Sequence, residues 1–289
     1  MNSGHHGKRL AATWAIVEAT HPRAVAVFSL LSLAVAAIAV RGLPPLHLTL
    51  GIIGAMVPVQ VAIGLFNEYC DRDLDSLTKT DRALPRGVLS PQPARAAAWV
   101  SLTLGLGCAA TLSIYGALVL AVGAGMGFLY SARLKRTGWS WLPYAVAYPI
   151  VPLWVWVSLG VYRTEMLLIY PVVAPFAIGV HLCNQLRDYD DDVAQGMRGL
   201  AQYLGKQTAG MVCIVLLTLA PLLTLAALRW QGRDVAAVWA TTILHWLLTA
   251  ECLIRHGSQD DVRRWRGLFK RLQISGPALL VSLIAALSP

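Results

Sequence analysis

Residues 46–75 read LHLTLGIIGAMVPVQVAIGLFNEYCDRDLD. The first two thirds form an apolar run long enough to cross a bilayer, which takes about 20 predominantly apolar residues in helical form. The last third ends that run with polar residues at a fixed interval: Asn67, Asp71 and Asp75. Residues at i, i+4 and i+8 of an α-helix lie along one face, each about 6 Å further along the axis. The stretch therefore predicts a membrane-spanning helix that ends in a ladder of carbonyl and carboxylate oxygens. The same spacing, N-x-x-x-D-x-x-x-D, returns 117 residues later at Asn184, Asp188 and Asp192, again at the end of an apolar run.

The rest of the 289-residue chain is of the same kind. It is 56% hydrophobic and 13% charged, with a mean hydropathy of +0.58. A soluble domain carries about 25% charged residues, so too little charge is present to coat a large water-soluble core. Ten Trp and 15 Pro suit a bilayer protein, in which aromatics anchor at interfaces and Pro is tolerated within spans. The five Cys are scattered, with no CxxC pair, which argues against a disulfide framework and a zinc site. Nine apolar runs read as spans: 24–41, 46–69, 94–114, 115–132, 139–160, 165–187, 208–229, 234–253 and 268–287. Residues 1–23 form a polar tail without a secretory signal, and 24–289 a single transmembrane domain. The expected fold class is all-α, a polytopic membrane protein with nine transmembrane helices.

Charge orients the spans. With the N-terminus in the cytoplasm, 20 of the 24 Lys and Arg fall on the cytoplasmic side, against Arg41, Arg163, Arg229 and Arg233 opposite. This is the positive-inside rule, so the net charge of +9 reports topology and calls for no nucleic acid. Acidic residues are more uneven still: nine of 15 lie in Glu68–Asp81 and Asp188–Asp192. Both ladders then stand at the cytoplasmic ends of the second and sixth spans, in the same orientation, as in an internal duplication. Carboxylates at a span cost free energy and repel one another, an arrangement that divalent cations held between them offset. All-oxygen ligands without His or Cys point to a hard ion, Mg²⁺ before Zn²⁺. Such ions complete their shell with water and substrate phosphate, so two opposed ladders suit a diphosphate.

At these residues the sequence resembles the UbiA superfamily of intramembrane prenyltransferases. NEYCDRDLDSLTKTDRALPRG at 67–87 looks like that family's first Asp-rich motif and following loop, and HLCNQLRDYDDD at 181–192 like the second. YSARLKRTGW at 130–139 is similar to the stretch after the fourth span in many members. The resemblance implies a nine-helix bundle around a central cavity open sideways to lipid. It implies transfer of a prenyl group from a polyprenyl diphosphate to a lipophilic, aromatic acceptor, with release of diphosphate. It also implies Mg²⁺ held by Asn67, Asp71, Asp75, Asn184, Asp188 and Asp192, of which Asp71, Asp75, Asp188 and Asp192 are the catalytic carboxylates. Lys79, Arg82, Tyr130 and Lys135 fall where the family places diphosphate contacts. One departure follows the second motif, where Gly199 in Gly196-Met197-Arg198-Gly199-Leu200 replaces a common Thr.

An allylic cation needs a dry pocket, and aromatic faces stabilise it; Tyr144, Tyr148, Trp154 and Trp156 are candidates. Pro143, Pro149, Pro152, Pro171 and Pro175 kink the fifth and sixth spans, where the cavity is expected to widen. Asp190 or Asp191 is a candidate base. His181 is expected to bond a neighbouring helix, and His245, Glu251, Cys70 and Cys183 to be structural. Two other functions fit parts of the pattern: a membrane terpene cyclase that uses the same metal site without an acceptor, and a transporter for cations or anionic lipids. The sequence carries no signal of oligomeric state.

Overall fold

The computed structural model describes residues 14–78, 82–256 and 261–287, the side chains of Leu74, Asp75, Leu77, Thr78 and His256 excepted. Among these residues every regular element is helical. The order is α1 (Pro22–Ala39), α2 (Leu46–Thr78), α3 (Pro91–Leu112), α4 (Ile114–Leu129) and α5 (Leu142–Ser158). Then come α6 (Ile169–Arg187), short helices α7 (Tyr189–Ala194) and α8 (Leu200–Leu204), α9 (Lys206–Trp230), α10 (Ala236–His256) and α11 (Asp261–Leu287). A π-helical turn, Tyr130–Leu134, prolongs α4, and a 3-10 turn, Thr164–Leu168, leads into α6. Among the described residues eight helices are long and apolar enough to cross a membrane. The ninth apolar helix, α5, has 17 residues, about 25 Å, the short end of what spans a bilayer. The chain is an all-helical, multi-pass membrane protein.

The long helix α2 sets the level of the site. Its 33 residues measure about 50 Å against a hydrocarbon core of about 30 Å. Counted from Leu46, the core is crossed by about residue 65, so Asn67 and everything after it stand at or beyond the apolar boundary.

Three helix ends bear on the reading of the sequence. α3 and α4 part at Ser113, whose extended backbone (φ −164°, ψ 129°) and Oγ, accepting from Gly116 N at 3.2 Å, form an N-cap. α11 begins seven residues before its apolar run: Asp261 pairs with Arg264, and Glu251 of α10 with Arg271, which neutralises charges inside the helix. α6 stops at Arg187, and Asp188 (φ −112°, ψ 17°) is both its C-cap and the N-cap of α7. The second ladder is thus not one helical face, since Asn184 lies on α6 and Asp192 on α7.

Helix pairs α2–α3, α4–α5, α6–α9 and α10–α11 pack closely, and α1 touches α2, α5 and α11. Small residues permit this: a Cβ on Gly105 of α3 would lie 2.8 Å from the Ala55 carbonyl oxygen of α2. The core on the α5 side is built round fully buried Trp154 and Trp156, with Ile52, Met56, Met166 and Ile169. Those two Trp are packing residues.

Candidate functional site

A cavity of about 430 Å³ lies between α1, α2, α4, α5 and the end of α6. Most of its wall is apolar or aromatic: Phe28, Met56, Ile63, Leu120, Ala124, Tyr144, Tyr148 and Val151. Its polar end is formed by His21, Asn67, Tyr130, Ser131, Lys135 and Asn184. Four of the residues expected from the sequence, Asn67, Tyr130, Lys135 and Asn184, therefore border one space.

The π-helical turn after α4 builds that end. Lys135 N donates to the Tyr130 carbonyl at 2.9 Å, the wider turn of a π-helix. Here the chain runs parallel to α2 and makes two rungs with it. Ser131 Oγ donates to Asn67 Oδ1 at 3.3 Å, and one turn on Lys135 Nζ donates to Asp71 Oδ2. Asp71 is buried, so Lys135 balances a charge that would otherwise be costly to keep out of water. Asp75 continues the helix, but its side chain lies outside the described residues, as does all of Lys79.

On the second motif only Asn184 faces the cavity. Arg187 grips the Asp188 carboxylate, with Nε 2.9 Å from Oδ1 and 3.0 Å from Oδ2, and its guanidinium stands 5.0 Å from the Phe269 ring centre. Asp192 Oδ2 accepts from Gln202 Nε2 at 3.5 Å. Asp190 is exposed and bound by Lys206 at 2.8 Å, turned to solvent rather than placed as a base in the cavity. Asp191 is exposed as well.

Arg82 is held by the fold of its loop. Ala83 and Leu84 are buried with Leu65, Ala94 and Ala98. Gly87 (φ +69°) closes the turn, with Val88 N and Leu89 N donating to the Ala83 carbonyl at 3.0 and 3.1 Å. Arg82 pairs with Glu68, which is 2% exposed, and His21 Nε2 stands 3.2 Å from the same carboxylate oxygen. Glu68 thus ties α2, the loop and the entry to α1 together. The sequence reading passed over Glu68, His21 and Ser131; the signal for Glu68 was an acid next to Asn67, off the ladder face.

The aromatic lining separates the four candidates. Tyr144 stacks on Tyr148 (centroids 5.6 Å) and on His181 (4.2 Å), Tyr130 meets Tyr144 edge-on at 5.4 Å, and Phe28 meets Tyr148 at 5.7 Å. Trp154 and Trp156 are absent from this wall. Behind it His181 Nε2 lies 3.0 Å from Ser140 Oγ, and Ser140 also accepts from Leu200 N at 2.9 Å and from Gln185 Nε2 at 3.4 Å. Gln185 Oε1 accepts from Ala201 N at 3.0 Å. His245 is held between Ser275 Oγ and the Leu217 carbonyl, each at 3.0 Å.

Among the described residues no group of three or more His, Cys, Asp or Glu lies close enough to hold a metal. The available donors are oxygens: Asn67 and Asn184 on the cavity, and Asp71 and Asp188 beside them under Lys135 and Arg187. That chemistry suits a hard cation.

The model of the UbiA prenyltransferase family matches residues 26–274. A chloroplastic chlorophyll synthase of Arabidopsis thaliana is 25% identical over 184 residues, which cover 60% of this chain and 48% of that protein. The digeranylgeranylglyceryl phosphate synthase of Pyrococcus abyssi is 27% identical over 206 residues, covering 68% and 72%. The chain spans about half the length of the chlorophyll synthases it matches. Among solved structures, a UbiA homolog from Archaeoglobus fulgidus bound to GPP and Mg²⁺ superposes with a TM-score of 0.73 at 17% identity, covering 94% of this chain and 99% of that one. At that identity the likeness is one of fold.

Proposed function

Because the chain belongs to the UbiA prenyltransferase family, we propose that it transfers a prenyl group from a prenyl diphosphate to a lipophilic acceptor, with release of diphosphate. The observation that carries this reading is the shared cavity: polar groups from both Asn/Asp motifs and Lys135 at one end, and an apolar, aromatic channel beyond them. An amphiphile with a highly charged head and a branched hydrocarbon tail fits that division.

Asn67, Asp71 and Asp75 with Asn184, Asp188 and Asp192 would hold Mg²⁺, and Lys79 and Arg82 the diphosphate. Bound Mg²⁺ supplies Lewis-acid neutralisation of the departing diphosphate. Lys135 adds a charge-assisted donor where negative charge develops on the leaving group. To do so it shares its ammonium between Asp71 and the substrate. Tyr130, Tyr144 and Tyr148 present π-faces to the allylic carbon as positive charge grows there. The apolar wall excludes water, which would convert the cation to an alcohol. The charge bias of the loops supports an orientation with the N-terminus and both motifs on the cytoplasmic side.

The test is a panel of prenyl diphosphates of increasing length with several acceptors, read by mass spectrometry with and without chelator. Adducts that need Mg²⁺ and vanish in Asp71→Ala and Asp188→Ala are the expected result. Cyclic hydrocarbons or alcohols without acceptor would assign a cyclase instead, and full activity in both variants would refute the site.

A further inference from the structure

Gln60 lies on the cavity-facing side of α2, two helical turns from Asn67, about 10 Å deeper into the membrane. Seven residues apart, the two side chains leave the helix in nearly the same direction. Its neighbours within one turn of the same helix that also line the cavity are apolar, Met56, Val59 and Ile63, and the cavity wall beyond them includes Leu120 and Tyr148. The only hydrogen bond of its amide among the described residues runs from Nε2 to Met56 Sδ, 3.6 Å away on the same helix. A thioether is a weak acceptor, and Oε1 has no partner among the described residues. A polar side chain at this depth is costly and marks a site of use. A prenyl tail cannot satisfy an amide, because hydrocarbon offers neither donor nor acceptor; covering Gln60 with the tail would strand both groups.

We propose that Gln60 binds a polar group of the acceptor, and so selects acceptors that carry a second hydrogen-bonding function, such as a carbonyl or hydroxyl, remote from the atom that is prenylated. This inference rests on the transferase reading above and specifies the second substrate of the same cavity. It divides the space between two ligands: the prenyl tail along Phe28, Tyr144 and Tyr148, and the acceptor along α2. The amide offers both a donor and an acceptor, so it pairs with either polarity of group.

The experiment compares the full-length protein with Gln60→Met, which keeps the side chain's length, and with Gln60→Leu. Acceptor probes are a para-substituted phenol, a naphthoquinol, a prenylglyceryl phosphate and a chlorin carboxylic acid. KM is measured separately for prenyl diphosphate and acceptor. The expected result is a KM about tenfold higher for the acceptor that the unaltered protein uses, the worth of one hydrogen bond. The prenyl diphosphate KM stays within twofold, which also certifies a folded site. A change confined to the prenyl diphosphate KM, or no change in either, overturns the inference while transfer itself persists. No adduct from the unaltered protein with any probe sinks the transferase reading, and this inference with it; that control separates the two failures.

Discussion

Replacing Gly199 by Thr should destabilise this chain, and the reason lies in Gln185. Gly199 is the N-cap of α8 with φ −69° and ψ −175°, a conformation open to any residue, so backbone strain plays no part. A Cβ there would fall 2.0 Å from Gln185 Nε2. The amide must leave, and the buried Ala201 N–H, which donates to Gln185 Oε1 at 3.0 Å, loses its partner. An unsatisfied buried donor costs about 1–3 kcal/mol, and overpacking about the same. Thr and Gly are nearly equal as N-caps, so the new hydroxyl returns only a few tenths. Gly199→Thr should therefore lose about 2–6 kcal/mol. Gln185→Ala alone should lose about 1–3 kcal/mol. In the double variant the Thr hydroxyl has room and reaches the N–H two residues on, as N-caps do, and stability should return to within about 1 kcal/mol of the parent. Thermal unfolding of the four proteins in one detergent measures the cycle. Additive losses would refute the claim that Gln185 occupies the place of the missing side chain.

Two further outcomes follow from the cavity and its mouth. Arg82→Ala leaves Glu68 buried with only His21 beside it and should cost about 2 kcal/mol in unfolding measurements, a partly exposed pair counting for less than a fully buried one. Adding Glu68→Gln should recover part of that loss; a single variant as stable as the parent would contradict the pairing. Tyr148→Leu should lower kcat about tenfold with the prenyl diphosphate KM within twofold, whereas Tyr148→Phe should keep most of the activity, because the π-face rather than the hydroxyl is needed. Equal rates for Leu and Phe would remove the aromatic wall from the mechanism.

The spans were legible because hydropathy reports membrane contact directly, and the runs match the nine apolar helices among the described residues. Their ends were less so. The first three turns of α11 carry Arg263, Arg264, Arg266, Lys270 and Arg271, and nothing in a hydropathy pattern says that Asp261 and Glu251 neutralise two of them. Spacing singled out Asn67 and Asn184, both of which line the cavity. Spacing also implied a straight second ladder, because it carries no sign of the bend at Asp188. Trp154 and Tyr148 looked alike as aromatics of one span; which face of α5 meets the cavity depends on where α2 and α4 pack, and no single-helix pattern holds that. Glu68 and Arg82 are 14 residues apart, and only the buried turn at Ala83 and Leu84 brings them together.

The bend at Asp188 gives the two halves of the polar end unequal mechanics. Asn67 and Asp71 ride on one unbroken helix, so no hinge in the backbone lies between them. On the opposite side one non-helical residue, Asp188, interrupts the helix between Asn184 and Asp192, so a change in its torsions would swing one oxygen group relative to the other. The two motifs thus differ in kind, one rigid along a single helix and the other jointed at Asp188.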